Sequence, residues 1–138
     1  MSYTLRTYRP QDAEQTIALW EEVGLTRPWN DPHTDIEQAY STWPKLFLVA
    51  ESEGQIVGTV MSGYDGHRGW LYYLAAHPDA QGQGIGTALV AEAEDRLRAL
   101  GCTKVQLMVR SGNDQVLEFY SKLGYEASDV AVTGKRLD

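Results

Sequence analysis

Leu74-Ala75-Ala76-His77-Pro78-Asp79-Ala80-Gln81-Gly82-Gln83-Gly84-Ile85-Gly86 is the stretch on which the reading of this chain turns. It leads from the nearly continuous apolar run WLYYLAA (70–76) into a segment with helical spacing, 84–100. The first reads as a strand covered on both faces. In the second, Ile85, Leu89, Ala93, Leu97 and Leu100 share one stripe, Glu92, Asp95 and Arg96 face water, and Gly101 supplies the stop. Glycines allow a tight turn and a close backbone approach to a ligand, and a helix start presents unpaired N–H groups to an anion. Residues Gln81 to Gly86 therefore read as a pyrophosphate cradle, with a plain connecting turn as the competing reading.

Working outward, KVQLMV (104–109) is a second buried strand, so strand, helix and strand form a parallel crossover. Upstream, LFLVAE (46–51) and QIVGTVMSGY (55–64) flank Ser52-Glu53-Gly54, the pattern of an antiparallel hairpin. TLRTYR (4–9) alternates and reads as a first strand. Asp12-Ala13-Glu14-Gln15 has capping-box spacing and opens a helix through Ile17 and Trp20. Asp31-Pro32 opens another, with Ile36, Ala39, Tyr40 and Trp43 on one face. Near the C-terminus, Asn113 precedes a short helix carrying Val116, Leu117, Tyr120 and Leu123 on one face and ending at Gly124, and 125–137 is expected to hold one or two short strands. The order is that of an α+β fold with a largely antiparallel sheet. Without repeats or linker-like runs, residues 1–138 read as a single domain.

Composition narrows the function. The net charge of −7, with no basic run, excludes the phosphate neutralisation on which nucleic-acid binding rests and favours a cationic partner. No apolar run approaches the roughly 18 residues of a membrane span, and MSYTLRTYRP has no signal-peptide apolar region. Cys102, the single cysteine, allows no intrachain disulfide and reads as a small packed residue. A cytoplasmic location, with no membrane and no nucleic acid among its partners, is expected.

Three phosphate-loop patterns compete. A P-loop requires Gly-Lys followed by Ser or Thr, and Thr87 follows Gly86 with no lysine. A dinucleotide fingerprint requires glycine where Thr87 stands, directly after its strand, whereas His77-Pro78-Asp79-Ala80 intervenes. The third pattern fits: the run resembles the coenzyme-A motif of the GCN5-related N-acetyltransferases (GNAT), Arg or Gln, two residues, Gly, one residue, Gly or Ala, matched by Gln81, Gly84 and Gly86. Downstream, Asn113, Tyr120 and Leu123-Gly124-Tyr125 are similar to that family's second segment, in the same order and spacing.

The resemblance implies a GNAT-like mixed, mostly antiparallel central sheet with helices on both faces, and acetyl-CoA as co-substrate with no metal. It implies that two central strands splay, so that the backbone of Leu74, Ala75 and Ala76 holds the pantetheine arm. The amides of Gln81, Gly82, Gln83, Gly84, Ile85 and Gly86 would take the pyrophosphate, and Asn113 would bond the arm unless it is only a helix cap. Tyr120 would donate to the departing sulfur; from an ordinary tyrosine, complete proton transfer to the thiolate is uphill by roughly 2 kcal/mol. The attacking amine must lose a proton, and the carboxylate some relatives carry five residues before the asparagine is replaced here by Met108. Asp65, His67, Tyr72, Tyr73 or a water are the candidate bases. The linker Arg27-Pro28-Trp29-Asn30-Asp31-Pro32 borders the expected acceptor site, for a small-molecule amine or a peptide or protein amine. The short chain after Tyr125 suggests that a partner completes the sheet in a homodimer. The expectation is thus N-acetylation by direct attack in a ternary complex, with a non-catalytic acyl-CoA sensor as the alternative.

Overall fold

The computed structural model describes residues 2–138, which form two compact units, one ending at Leu107 and one starting at Met108. The first unit holds a five-stranded sheet in the order β1-β2-β3-β4-β5. Its strands are β1 (Thr4–Thr7), β2 (Phe47–Ser52), β3 (Gln55–Tyr64), β4 (Gly69–Ala76) and β5 (Val105–Gln106). The first four pair antiparallel, and β4 and β5 pair parallel. Helices α1 (Ala13–Glu22), α2 (Pro32–Thr42) and α3 (Ile85–Ala99) accompany it. The architecture is α+β and mostly antiparallel, as expected, with the hairpin at Ser52–Gln55 and the crossover through α3 where the sequence put them.

The period-2 alternation of the strands divides the sheet into two faces. One carries Phe47, Val49, Met61 and Ala75, packed with Ile17, Leu19 and Trp20 of α1 and Ile36 of α2. The other is covered by α3, whose Ile85, Leu89, Ala93 and Leu97 are all buried. Gly58 lies on this second face. A Cβ built there would stand 2.6 Å from Ile85 Cγ2 and 3.2 Å from the Ala75 carbonyl. Gly58→Ala should therefore destabilise the protein by about 1–3 kcal/mol through overpacking against α3, read as a fall in the urea midpoint. An unchanged midpoint would mean that α3 can shift outward without loss.

Four local expectations are corrected. First, α1 is preceded by a 3₁₀ turn, Pro10–Asp12, and the capping box runs from Arg9 to Asp12. Asp12 accepts from the Arg9 amide and from Arg6, while Gln15 Oε1 accepts from the Ile56 amide, tying α1 to β3. Burial pushes the Asp12 carboxyl up, but the hydrogen bonds from Arg6 and the Arg9 amide outweigh it and hold the group below its usual range. Second, β5 is two residues long rather than six. Third, Arg96 is not merely solvated: it pairs with Glu92 and donates to Thr7 Oγ1 and the Lys45 carbonyl. Fourth, the second unit contains α4 (Asp114–Lys122) and no strand among the described residues. Residues 125–138 are thus without the short strands expected of them. Cys102 is buried and its thiol donates to the Lys104 carbonyl, as a packed residue should.

Candidate functional site

Sequence chemistry at the end of β4 places the predicted coenzyme residues. β4 pairs with β5 only at Gly69 and Trp70. From Leu71 to Ala76 no strand among the described residues pairs with it on that side, while β3 holds its other edge. Leu74, Ala75 and Ala76 lie in this half-paired stretch; Ala75 is buried and the other two are half-buried.

At the end of β4, His77 turns the chain. Its amide donates to Val57, its Nδ1 accepts from the Asp79 amide, and its Nε2 stands 3.0 Å from Glu22 Oε2. Because Nδ1 is an acceptor here, Nε2 carries the proton and donates to Glu22, binding the end of α1 to the start of the loop. Sequence reading missed this role; the signal was a potential capping side chain directly before Pro78.

A 3₁₀ turn over Pro78–Ala80 then leads through Gln81, Gly82 and Gln83 to Gly84. Gly82 and Gly84 have φ of +85° and +75°, which side-chain-bearing residues resist, and nothing lies within 4 Å of a Cβ added to either. Gly84 is the N-cap of α3 without a side-chain cap, and Ile85 and Gly86 begin the helix. α1, α2 and α4 each carry an acid in the first turn (Glu14, Asp35 and Asp114), whereas α3 has none. A helix start with uncapped amides, no carboxylate and open space before it fits a diphosphate.

Asn113 and Tyr120 belong to the second unit. Asn113 caps α4, its side chain accepting from the Val116 amide at 3.3 Å. Tyr120 is 7% exposed, its ring meeting Phe119 and Tyr125 edge-on at 5.1 and 5.4 Å. Burial pushes its phenol up to about 12, so it is protonated at neutral pH. Leu117, expected on the same face, is 43% exposed.

Of the candidate bases, Asp65 accepts from the His67 and Arg68 amides and the Trp70 indole. The Arg68 and His67 amides are the main causes of a carboxyl pK below the usual range, and the group serves chiefly as the cap of an exposed turn. His67 is exposed in that turn. Tyr72 is raised by burial and then by Asp65, and Tyr73 is raised further by burial and by Asp35. Both phenols hold their protons at neutral pH, which disfavours them as bases.

Tyr73 is distinctive in another way. The β3–β4 register slips between Thr59 and Met61, so that Tyr73 and Leu74 stand against Val60 alone, and within this bulge Tyr73 adopts φ +51°. Trp20 stacks on its ring at 3.9 Å, Thr59 Oγ1 donates to its carbonyl at 2.8 Å, and its own hydroxyl donates to Asp35 Oδ2 at 2.7 Å. Trp20 Nε1 donates to the same Thr59 hydroxyl. No composition or motif signal pointed to this network.

The chain matches the model of the acetyltransferase (GNAT) family over residues 14–125. It is 54% identical over 133 residues to an acetyltransferase of Pectobacterium atrosepticum, covering 96% of this chain and 94% of that one. An acetyltransferase of Sodalis glossinidius is 53% identical over 134 residues, with the same coverage. Among solved structures, Ard1 from Thermoplasma volcanium superposes with a TM-score of 0.83 at 25% identity, covering 93% of this chain and 85% of its own. Chaetomium thermophilum Naa20, in complex with a bisubstrate analogue, gives 0.75 at 27% identity, covering 87% of this chain and 69% of that one. Among the described residues there is no cluster of side chains able to hold a metal and no helix long and apolar enough to cross a membrane.

Proposed function

The chain belongs to the GNAT family and is an acetyl-CoA-dependent N-acetyltransferase, and from that premise we propose that it acetylates a primary amine of a small molecule or peptide by direct attack in a ternary complex. The observation that carries this reading is the continuity from the half-paired end of β4 to the uncapped, acid-free start of α3. Leu74, Ala75 and Ala76 offer peptide groups to the amides of a pantetheine arm, and the amides of Gln81–Gly86 receive the diphosphate. Acetyl-CoA supplies the activated acyl group as a thioester; the protein's part is to orient it, bring the amine up neutral and stabilise the departing thiolate.

Tyr120 is the proposed donor to the sulfur, and Asn113 the proposed contact to the arm. With both tyrosines of β4 protonated and Asp65 engaged by amides, water and the exposed His67 are left to take the amine's proton. The family match runs across both compact units, which supports reading 1–138 as one acetyltransferase domain. The analogue bound by Naa20 joins two substrates in one molecule, which favours attack within a ternary complex.

Release of free coenzyme-A thiol, followed against a panel of primary amines, tests the reading. At least one amine should raise the rate well above hydrolysis. Binding of acetyl-CoA with no amine-dependent release across the panel would replace the enzyme with an acyl-CoA sensor.

A further inference from the structure

Tyr73 holds a left-handed backbone conformation that side-chain-bearing residues resist, in the middle of a strand where the sheet register slips. Two of its contacts, the Trp20 stack and the Thr59 hydrogen bond, secure the ring and the carbonyl. The third ties a carboxylate of α2 to the hydroxyl. Asp35 Oδ1 has no partner among the described residues, nor does any Lys, Arg or His there pair with this carboxylate. The one hydrogen of the Tyr73 hydroxyl points at Asp35, so its oxygen presents only lone pairs elsewhere. Together the two side chains offer acceptors, no donor and a negative charge, an arrangement that receives N–H groups on a cation and rejects anions.

The attacking nitrogen is a poor occupant for this position. A carboxylate beside it would favour the ammonium form, which has no lone pair for attack. The carboxylate also stands off from the β4 backbone by the length of a tyrosine side chain. We infer that Asp35, oriented by Tyr73, anchors a second cationic group of the acceptor, which makes the acceptor a diamine. This rests on the acetyltransferase reading above and assigns the substrate class of that same site. The net charge of −7 favours the encounter with such a dication.

The test compares 1,4-diaminobutane with butylamine, which share a four-carbon chain and differ in the second ammonium. Wild-type protein should show a higher kcat/KM for the diamine, chiefly through KM. Asp35→Asn, nearly the same shape without charge, should reduce that preference by about 10–100-fold, the range for a hydrogen bond to a charged group. Asp35→Glu should restore most of it, a rescue that a purely structural role would not predict. Titration calorimetry with 1,4-diaminobutane should show the same ranking without turnover. A wild-type protein indifferent to the second ammonium, or an Asn variant with the preference intact, overturns the anchor. Acetyl-CoA binding is measured separately on each protein. Protein that binds acetyl-CoA but not the diamine loses the anchor and keeps the acetyltransferase reading. Protein that binds the diamine through Asp35 but not acetyl-CoA keeps the anchor and loses that reading.

Discussion

Acetyl-CoA should raise the melting temperature of the wild-type protein and leave that of Gly84→Glu where it was. A ligand bound only by the native state at 100 times its Kd adds about 2.7 kcal/mol, on the order of 10 °C for a chain of this size. Gly84 is the N-cap of α3 at φ +75°, with open space where a side chain would project. A glutamate placed there meets the backbone strain of any L-residue, roughly 1–2 kcal/mol, and puts a carboxylate beside the helix start. That position favours a negative charge, so the new side chain becomes a resident competitor for the amides as well as repelling the diphosphate. Gly84→Ala separates the two effects, since it carries the strain without the charge. It should melt lower than wild type yet keep part of the ligand shift. A full shift in the glutamate variant would remove this loop from the coenzyme site.

Tyr120→Phe should lower turnover by about 10²–10⁴ while leaving acetyl-CoA affinity within a few-fold. The substitution removes one hydroxyl and keeps the ring that packs against Phe119 and Tyr125. With the phenol pushed up to about 12, full proton transfer to a thiolate near 8.5 is uphill by roughly 5 kcal/mol. On the proposed reading the hydroxyl would therefore act as a hydrogen-bond donor to developing charge, and the sulfur would take its proton from the acylated amine by way of solvent. Steady-state rates on the best acceptor, set beside a calorimetric Kd for acetyl-CoA, decide the matter. Parallel loss of rate and affinity would make Tyr120 part of the coenzyme site, and a near-wild-type rate would sink its role in the chemistry.

The helices and hairpin were legible because their signals are local. The stripe is buried from Ile85 through Leu89 and Ala93 to Leu97, with Leu100 at its end exposed, Asp31 caps α2, and Asn113 caps α4. The glycine loop was legible for a similar reason, since left-handed φ at Gly82 and Gly84 is a demand that glycine meets. What escaped depends on partners far apart in the chain. The Asp12 carboxylate accepts from the Arg9 amide and from Arg6, which Glu51 holds from the other side, so the capping box lies a turn before the one the local spacing suggested. β5 stops at Gln106 although Leu107, Met108 and Val109 continue the apolar run, because apolar character gives a strand no partner. The bulge at Tyr73 arises from register between two strands, and nothing in WLYYLAA shows which residue will be extra.

The two-residue seam between β4 and β5 carries a consequence for the donor. A strand edge recognises an extended chain by the spacing of its peptide groups and is indifferent to what the chain is attached to. On the proposed reading, the edge beyond Trp70 holds the amides nearest the thioester, while the nucleotide end is gripped some distance away at Gly82–Gly86. A short acyl thioester that keeps one amide and lacks the phosphates would present the same reactive carbonyl to the same strand. Its shortfall would be in residence and in alignment, since binding energy from the remote end helps to hold the reacting end in place. Carrier identity would thus be read by the helix and acyl geometry by the strand, two separable tasks on consecutive stretches of one chain.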